Sequence, residues 1–178
     1  MTHRQPTAGG LWPEVVGRGR RATDRAAGAR RSAVVIGYGS ALRGDDAVGQ
    51  RVAAAVGCWG LPGVHAIAVH QLTPELAEAL ADADTAIFVD ADQSLEGGAI
   101  RAREVEAAGP PLASAHSCDP GALLALARAI YGRSPRAWWL TIAASRFDFG
   151  ADLSPETWHG AAAALRWIRS HLNSGPAE

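Results

Sequence analysis

From Ala33 onward the chain alternates short apolar runs with stretches whose apolar residues recur every three or four positions. Ala33-Val34-Val35-Ile36 is apolar without interruption, as expected of a strand covered on both faces. Val48, Val52 and Val56 follow at four-residue steps and predict a helix from about Asp45 to Val56. Val64 to Leu72 alternates in part and predicts a second strand. Thr73-Pro74-Glu75 then supplies an N-cap, a proline suited to the first helical position and an acid at the positive dipole end, predicting a helix to about Ala83. Thr85 to Asp90 predicts a third strand. Ile100 to Val105 alternates apolar with charged residues, the pattern of a strand with one wet face at a sheet edge. Asp119-Pro120 repeats the cap-plus-proline start, Leu123, Leu124, Ala127 and Ile130 give that helix an apolar face, and Gly132 ends it. Ala137 to Ile142 predicts another strand. Ser154-Pro155-Glu156 opens a last helix in which Trp158, Ala161, Leu165, Ile168 and Leu172 form one packing stripe.

Strands alternating with helices predict an α/β domain: a three-layer sandwich with a mostly parallel, twisted central sheet and helices on both faces. With 178 residues and 48% hydrophobic content, the chain suits a single domain, placed here at residues 32–173. Residues 1–31 are rich in Arg, Gly and Ala with little periodicity, which predicts a disordered leader, and residues 174–178 read as a flexible terminus. The net charge of -1 gives no case for a nucleic-acid partner. No apolar run approaches the ~18–20 residues needed to span a bilayer, and the N-terminus lacks the order of regions found in a secretory signal. Only Cys58 and Cys118 occur, too few for a disulfide framework and too far apart for a CxxC motif. A cytoplasmic setting is the expectation.

The candidate chemistry gathers where strands end. In parallel sheets, functional groups collect beyond the carboxyl ends of the strands. Gly37-Tyr38-Gly39-Ser40-Ala41-Leu42-Arg43-Gly44-Asp45-Asp46 places two acids after the first strand, one able to cap a helix while the other faces a crevice. Asp90 ends the third strand, with Asp92 nearby as the alternative turn-former. His116 lies in a loop just before the Asp119-Pro120 helix start. Of the histidines, only His70 and His116 fall on the functional edge. Two carboxylates and one imidazole make a ligand set suited to a divalent transition metal with open positions. There is no HExxH, Gly39-Ser40-Ala41 is not a nucleophile elbow, and Leu42 occupies the place of the third glycine of a dinucleotide-binding turn. Acids where a pyrophosphate would sit favour a cation.

The stretch from Ile36 to Gly49, with Phe88-Val89-Asp90-Ala91 and with His116 ahead of Leu123-Leu124-Ala125-Leu126, resembles the motif set of the [NiFe]-hydrogenase maturation endopeptidases. The match extends over nearly all of the chain from Ala33 to Leu172. By that resemblance, Asp46, Asp90 and His116 correspond to the family's metal-contacting and catalytic trio. The resemblance also implies an activity, the removal of a C-terminal extension from the precursor of a hydrogenase large subunit after nickel insertion. Nickel would then be carried by the substrate and recognised by the site rather than permanently bound. The alternative is a non-catalytic metal-sensing chaperone or docking module for the same subunit. Ser40 stands where the family usually has Asn, and His70-Gln71-Leu72-Thr73 stands where many relatives have Asp-Gly-Gly-Thr, making His70 a candidate auxiliary residue.

Overall fold

The computed structural model describes residues 32–108, 119–150 and 152–173. The expected leader, the C-terminal tail and His116 lie outside the described residues. Five strands, β1 (Ala33–Tyr38), β2 (Val64–Val69), β3 (Thr85–Asp92), β4 (Ile100–Val105) and β5 (Arg136–Ala143), form one sheet in the order β2-β1-β3-β5-β4. All neighbours pair in parallel except β4, which runs antiparallel to β5 at the edge. Among the described residues four helices cover it: α1 (Val48–Gly57), α2 (Leu76–Ala81), α3 (Pro120–Tyr131) and α4 (Pro155–Asn173).

The sheet separates two apolar clusters, as the alternation of side chains along each strand requires. Val34, Ile36, Ala86 and Phe88 face Leu76, Leu80, Leu123 and Leu124 of α2 and α3. Val35, Ile87, Val89, Leu140 and Ile142 face Val48, Val52 and Val56 of α1 and Ala161, Ala164 and Ile168 of α4. This is the expected three-layer arrangement. It rests on a very close approach of α1 to the sheet. A Cβ on Gly49 would sit 2.4 Å from the carbonyl oxygens of both Tyr38 and Val89, so only glycine fits there.

Chain order and sheet order diverge at β1. From β1 the chain passes through α1 to β2 on one side, then through α2 on the opposite face to β3 on the other side of β1. The carboxyl ends of β1 and β3 therefore flank the point where the winding reverses, where α/β sheets open a crevice.

Five sequence expectations need correction. β2 ends at Val69 rather than Leu72; the His70 carbonyl accepts from Gly39 N at 3.2 Å as the chain leaves the sheet, and Leu72 turns into the core. Thr73-Pro74-Glu75 does not form the first turn of α2, which spans only Leu76–Ala81. Leu76 N and Ala77 N bond the carbonyls three residues back, at Thr73 and Pro74, so this segment is a tight turn leading into the helix. β3 continues to Asp92 because β5 pairs along its full length, while pairing with β1 stops at Val89. Trp158 is not part of the packing stripe of α4: it is 53% exposed and lies under the Arg51 guanidinium, 5.9 Å from its ring centroid. The helix expected from about Asp45 begins as α1 at Val48, after a separate 3-10 turn over Gly44–Ala47, whereas α3 and α4 start as expected. Asp119 accepts from Ala122 N at 2.7 Å, Ser154 Oγ accepts from Thr157 N at 3.3 Å, and Gly132 closes α3 in the left-handed conformation.

Candidate functional site

The turn after β1 divides its two acids between two tasks. Residues Gly44–Ala47 wind as a single 3-10 turn before α1, which sends adjacent side chains in different directions. Asp45 is fully buried. Its carboxylate accepts from Ser145 N at 3.0 Å, Arg146 N at 2.9 Å, Ser154 N at 2.6 Å and Ser154 Oγ at 3.0 Å. Burial alone would raise its pKa, but these donors more than offset that and hold it below the usual carboxylate range. Asp45 thereby ties the turn after β1 to the segment after β5 and to the start of α4. Backbone bonds reinforce the tie, from Gly44 N to Gly150 O at 2.8 Å, Asp45 N to Arg146 O at 2.8 Å and Gly150 N to Leu42 O at 3.0 Å.

Asp46 is half-buried. Its Oδ2 accepts from Ser40 N at 2.8 Å, within its own turn. Gly39 makes that turn possible. Its φ is +131°, and a Cβ there would lie 2.0 Å from the Asp46 carbonyl oxygen. The Gly39 carbonyl accepts from Gln50 Nε2 of α1, which fixes the turn from the other side.

Asp90 is the first residue of β3 beyond its pairing with β1, so its carboxyl emerges at the switch point. Burial pushes its pKa up to about 6. Hydrogen bonding from the Tyr38 hydroxyl and from Ala91 N, the latter at 2.9 Å, works against that rise, while the negative charges of Asp46 and Asp92 add to it. The Asp46–Asp90 charge interaction places the two acids in one electrostatic site. Asp92 is occupied otherwise. Its Oδ1 accepts from Ser94 Oγ at 2.6 Å and Ser94 N at 2.8 Å, and its Oδ2 accepts from Thr141 Oγ1 at 3.1 Å and pairs with Arg101 at 3.6 Å. Asp92 is thus the turn-former, and Asp90 is the acid left at the switch point.

Tyr38 is the residue that sequence reasoning passed over. It sits two positions after Ile36 on the α2/α3 face of β1, and its pKa is raised, first by burial and then by the Asp90 charge. It shares a face of the sheet with Asp90, two positions beyond Phe88 on the neighbouring strand, a relation that follows only from the β1–β3 register. The charge of Asp119, the cap of α3, also acts on Tyr38, so the start of α3 belongs to the same edge of the sheet. His116, three positions before that cap, lies outside the described residues. His70 is exposed, and its carbonyl accepts from Gly39 N. Among the described residues no three His, Cys, Asp or Glu side chains group closely enough to hold a metal ion, and no helix is long and apolar enough to cross a membrane.

No family model and no curated protein matches the chain. Solved structures do. The chain is similar to a [NiFe] hydrogenase maturation protease, HycI, from Thermococcus kodakarensis KOD1. Identity is 19%, the TM-score is 0.65, and the match covers 81% of this chain and 94% of that one. A hydrogenase 2 maturation peptidase from Thaumarchaeota archaeon SCGC_AB-539-E09 matches at 21% identity and TM-score 0.60, over 80% of this chain and 98% of its own. The hydrogenase maturating endopeptidase HybD from E. coli matches at 19% identity and TM-score 0.61, over 79% and 91%. The shared fold therefore spans the α/β domain almost end to end.

Proposed function

We propose that this chain is a hydrogenase maturation endopeptidase that removes the C-terminal extension of a [NiFe]-hydrogenase large-subunit precursor in the cytoplasm, with nickel carried in by the precursor. The observation that carries the reading is that Asp46, in the turn after β1, and Asp90, just past the β1–β3 pairing, both stand at the switch point, while Asp45 and Asp92 are fully used in holding the loops. Asp46 and Asp90 each accept from one backbone donor, Ser40 N and Ala91 N, against the four donors that surround Asp45. The fold shared with solved maturation proteases supports the same conclusion.

In this reading Asp46, Asp90 and His116 contact the precursor's nickel. Two carboxylates and an imidazole suit that ion's borderline character and leave positions for the precursor's own ligands. Asp119 brings the start of α3 to the edge where Tyr38 and Asp90 lie, and His116 precedes it by three residues. Of the two acids, Asp90 is the one that burial raises, to about 6 without metal, so at neutral pH it is mainly ionised and available to the incoming ion. Asp46, held by Ser40 N, keeps a fixed orientation beside it. Recognition and catalysis then share one crevice, which restricts cleavage to precursors that present the metal.

The test is incubation of the protein with nickel-loaded and nickel-free precursor, followed by intact-mass measurement. The expected result is loss of the C-terminal extension in the loaded sample alone. A stable complex with no cut would favour the non-catalytic docking module instead, and equal cutting of both samples would remove nickel from the account.

A further inference from the structure

A cavity of about 450 Å³ opens where the end of β5, the β3–β4 turn and the first turn of α4 meet. Ala143 and Ala144 line it from β5 and its end, Leu95 and Glu96 from the β3–β4 turn, Phe147 from the segment after β5, and Glu156 from α4. Its walls are fixed by hydrogen bonds. Thr157 Oγ1 donates to the Ala143 carbonyl at 2.9 Å, and Ala144 N donates to the Asp92 carbonyl at 3.1 Å. Gly98 brings the β3–β4 turn against α4: a Cβ there would lie 2.7 Å from the Glu156 carbonyl oxygen. Asp45 accepts from Ser145 N and Ser154 N, so the turn that carries Asp46 also ties down two sides of the cavity. The cavity is preformed.

Its lining joins two chemistries. Half-buried Leu95 and Phe147, with the methyl groups of Ala143 and Ala144, supply apolar wall. Glu96 and Glu156 are exposed, and among the described lining residues they carry the charge, with no Arg, Lys or His beside them. Neither glutamate has an ion pair among the described residues. Glu156 lies in the first turn of α4, where an acid suits the positive helix end; Glu96, in the β3–β4 turn, is at no helix end. Two like charges at a concave site focus a negative potential, and apolar walls receive an alkyl stem while its charged end stays wet. We propose that this cavity is a subsite for an arginine or lysine side chain of the precursor, its stem against Leu95 and Phe147 and its cationic end answered by Glu96 and Glu156. This rests on the functional reading above for the protein that supplies the side chain. A neutral apolar side chain would leave both charges unpaired, and an acidic one would be repelled.

Amide NMR of the full chain titrated with Nα-acetyl-arginine amide tests this, with the norleucine and glutamate amides as neutral and acidic controls. The arginine probe should give saturable shifts at Ala143 and Ala144, and the Glu96→Gln/Glu156→Gln variant should bind it about fivefold more weakly or worse. Both glutamates are exposed, so the variant keeps the fold and its thermal midpoint. In processing of nickel-loaded precursor the same variant should raise KM about fivefold or more while kcat stays within about twofold. Norleucine amide binding as tightly as the arginine probe, no shift at the two alanines, or an unchanged KM overturns the proposal. A wild-type protein that cuts nothing overturns the functional reading instead, and the probe titration still decides whether the cavity takes a cationic side chain.

Discussion

Adjacent acids at Asp45 and Asp46 meet different fates because one 3-10 turn sends them to opposite sides of the loop. Asp45 is buried among four donors and stays ionised; Asp46 is half-buried and keeps one backbone donor. Asp90 is the reverse of Asp45, a carboxyl whose burial is only partly offset. That imbalance predicts a stability effect with a definite sign. Its folded-state pKa of about 6 lies above the ordinary 3.8, so ionised Asp90 destabilises the fold above pH 6, and the penalty fades as pH falls towards 4. Asp90→Asn should therefore stabilise the protein at pH 8 by about 1–3 kcal/mol, allowing for partial exposure. The gain should vanish near pH 4. Denaturant unfolding at the two pH values measures it, and a less stable Asn variant at pH 8 would contradict the electrostatic account of the site. The acids were legible in the sequence from their place after apolar runs. Tyr38 was not, because a tyrosine inside a buried strand reads as packing until the neighbouring strand is known. The role of Asp45 was visible only as a general capping preference; its actual partners lie about a hundred residues away.

At the scale of elements, the starts announced by a capping side chain were read correctly where that side chain caps in the structure. Asp119-Pro120 and Ser154-Pro155 do so. Thr73-Pro74 does not, because the short path from β2 to α2 uses the proline in a turn. The lengths of β2 and β3 were misread for a related reason: strand ends depend on how far each neighbour pairs, which no local pattern records. Trp158 shows the limit of periodicity. Its spacing fits the stripe of Ala161, Ala164 and Ile168, yet α4 passes the edge of α1 there and leaves the indole in solvent beneath Arg51. A fully buried tryptophan would cost ~3–5 kcal/mol on truncation. Trp158→Ala should instead cost under about 1 kcal/mol, as expected for an exposed ring in a cation–π contact. Thermal unfolding of the variant checks this, and a loss of several kcal/mol would mean that the ring is covered.

Across the whole molecule, winding and chemistry coincide. The winding of the chain reverses between β1 and β3, and Asp46 and Asp90 sit at the strand ends there. Asp45 links the turns after β1 and β5 to α4, so the rim of the crevice is braced from the face opposite Tyr38. The order of strands and helices was legible from hydrophobic periodicity alone. The sheet order, with β5 inserted between β3 and β4, was not, because it depends on long-range pairing. The central claim is that Asp46, Asp90 and His116 act as one site on a nickel-bearing precursor. Intact-mass measurement of that precursor with Asp46→Ala, Asp90→Ala and His116→Ala tests it most directly. The account predicts that none of the three yields the shortened product in the time the wild-type protein takes to finish. Cleavage at the wild-type rate by any one of them would contradict it.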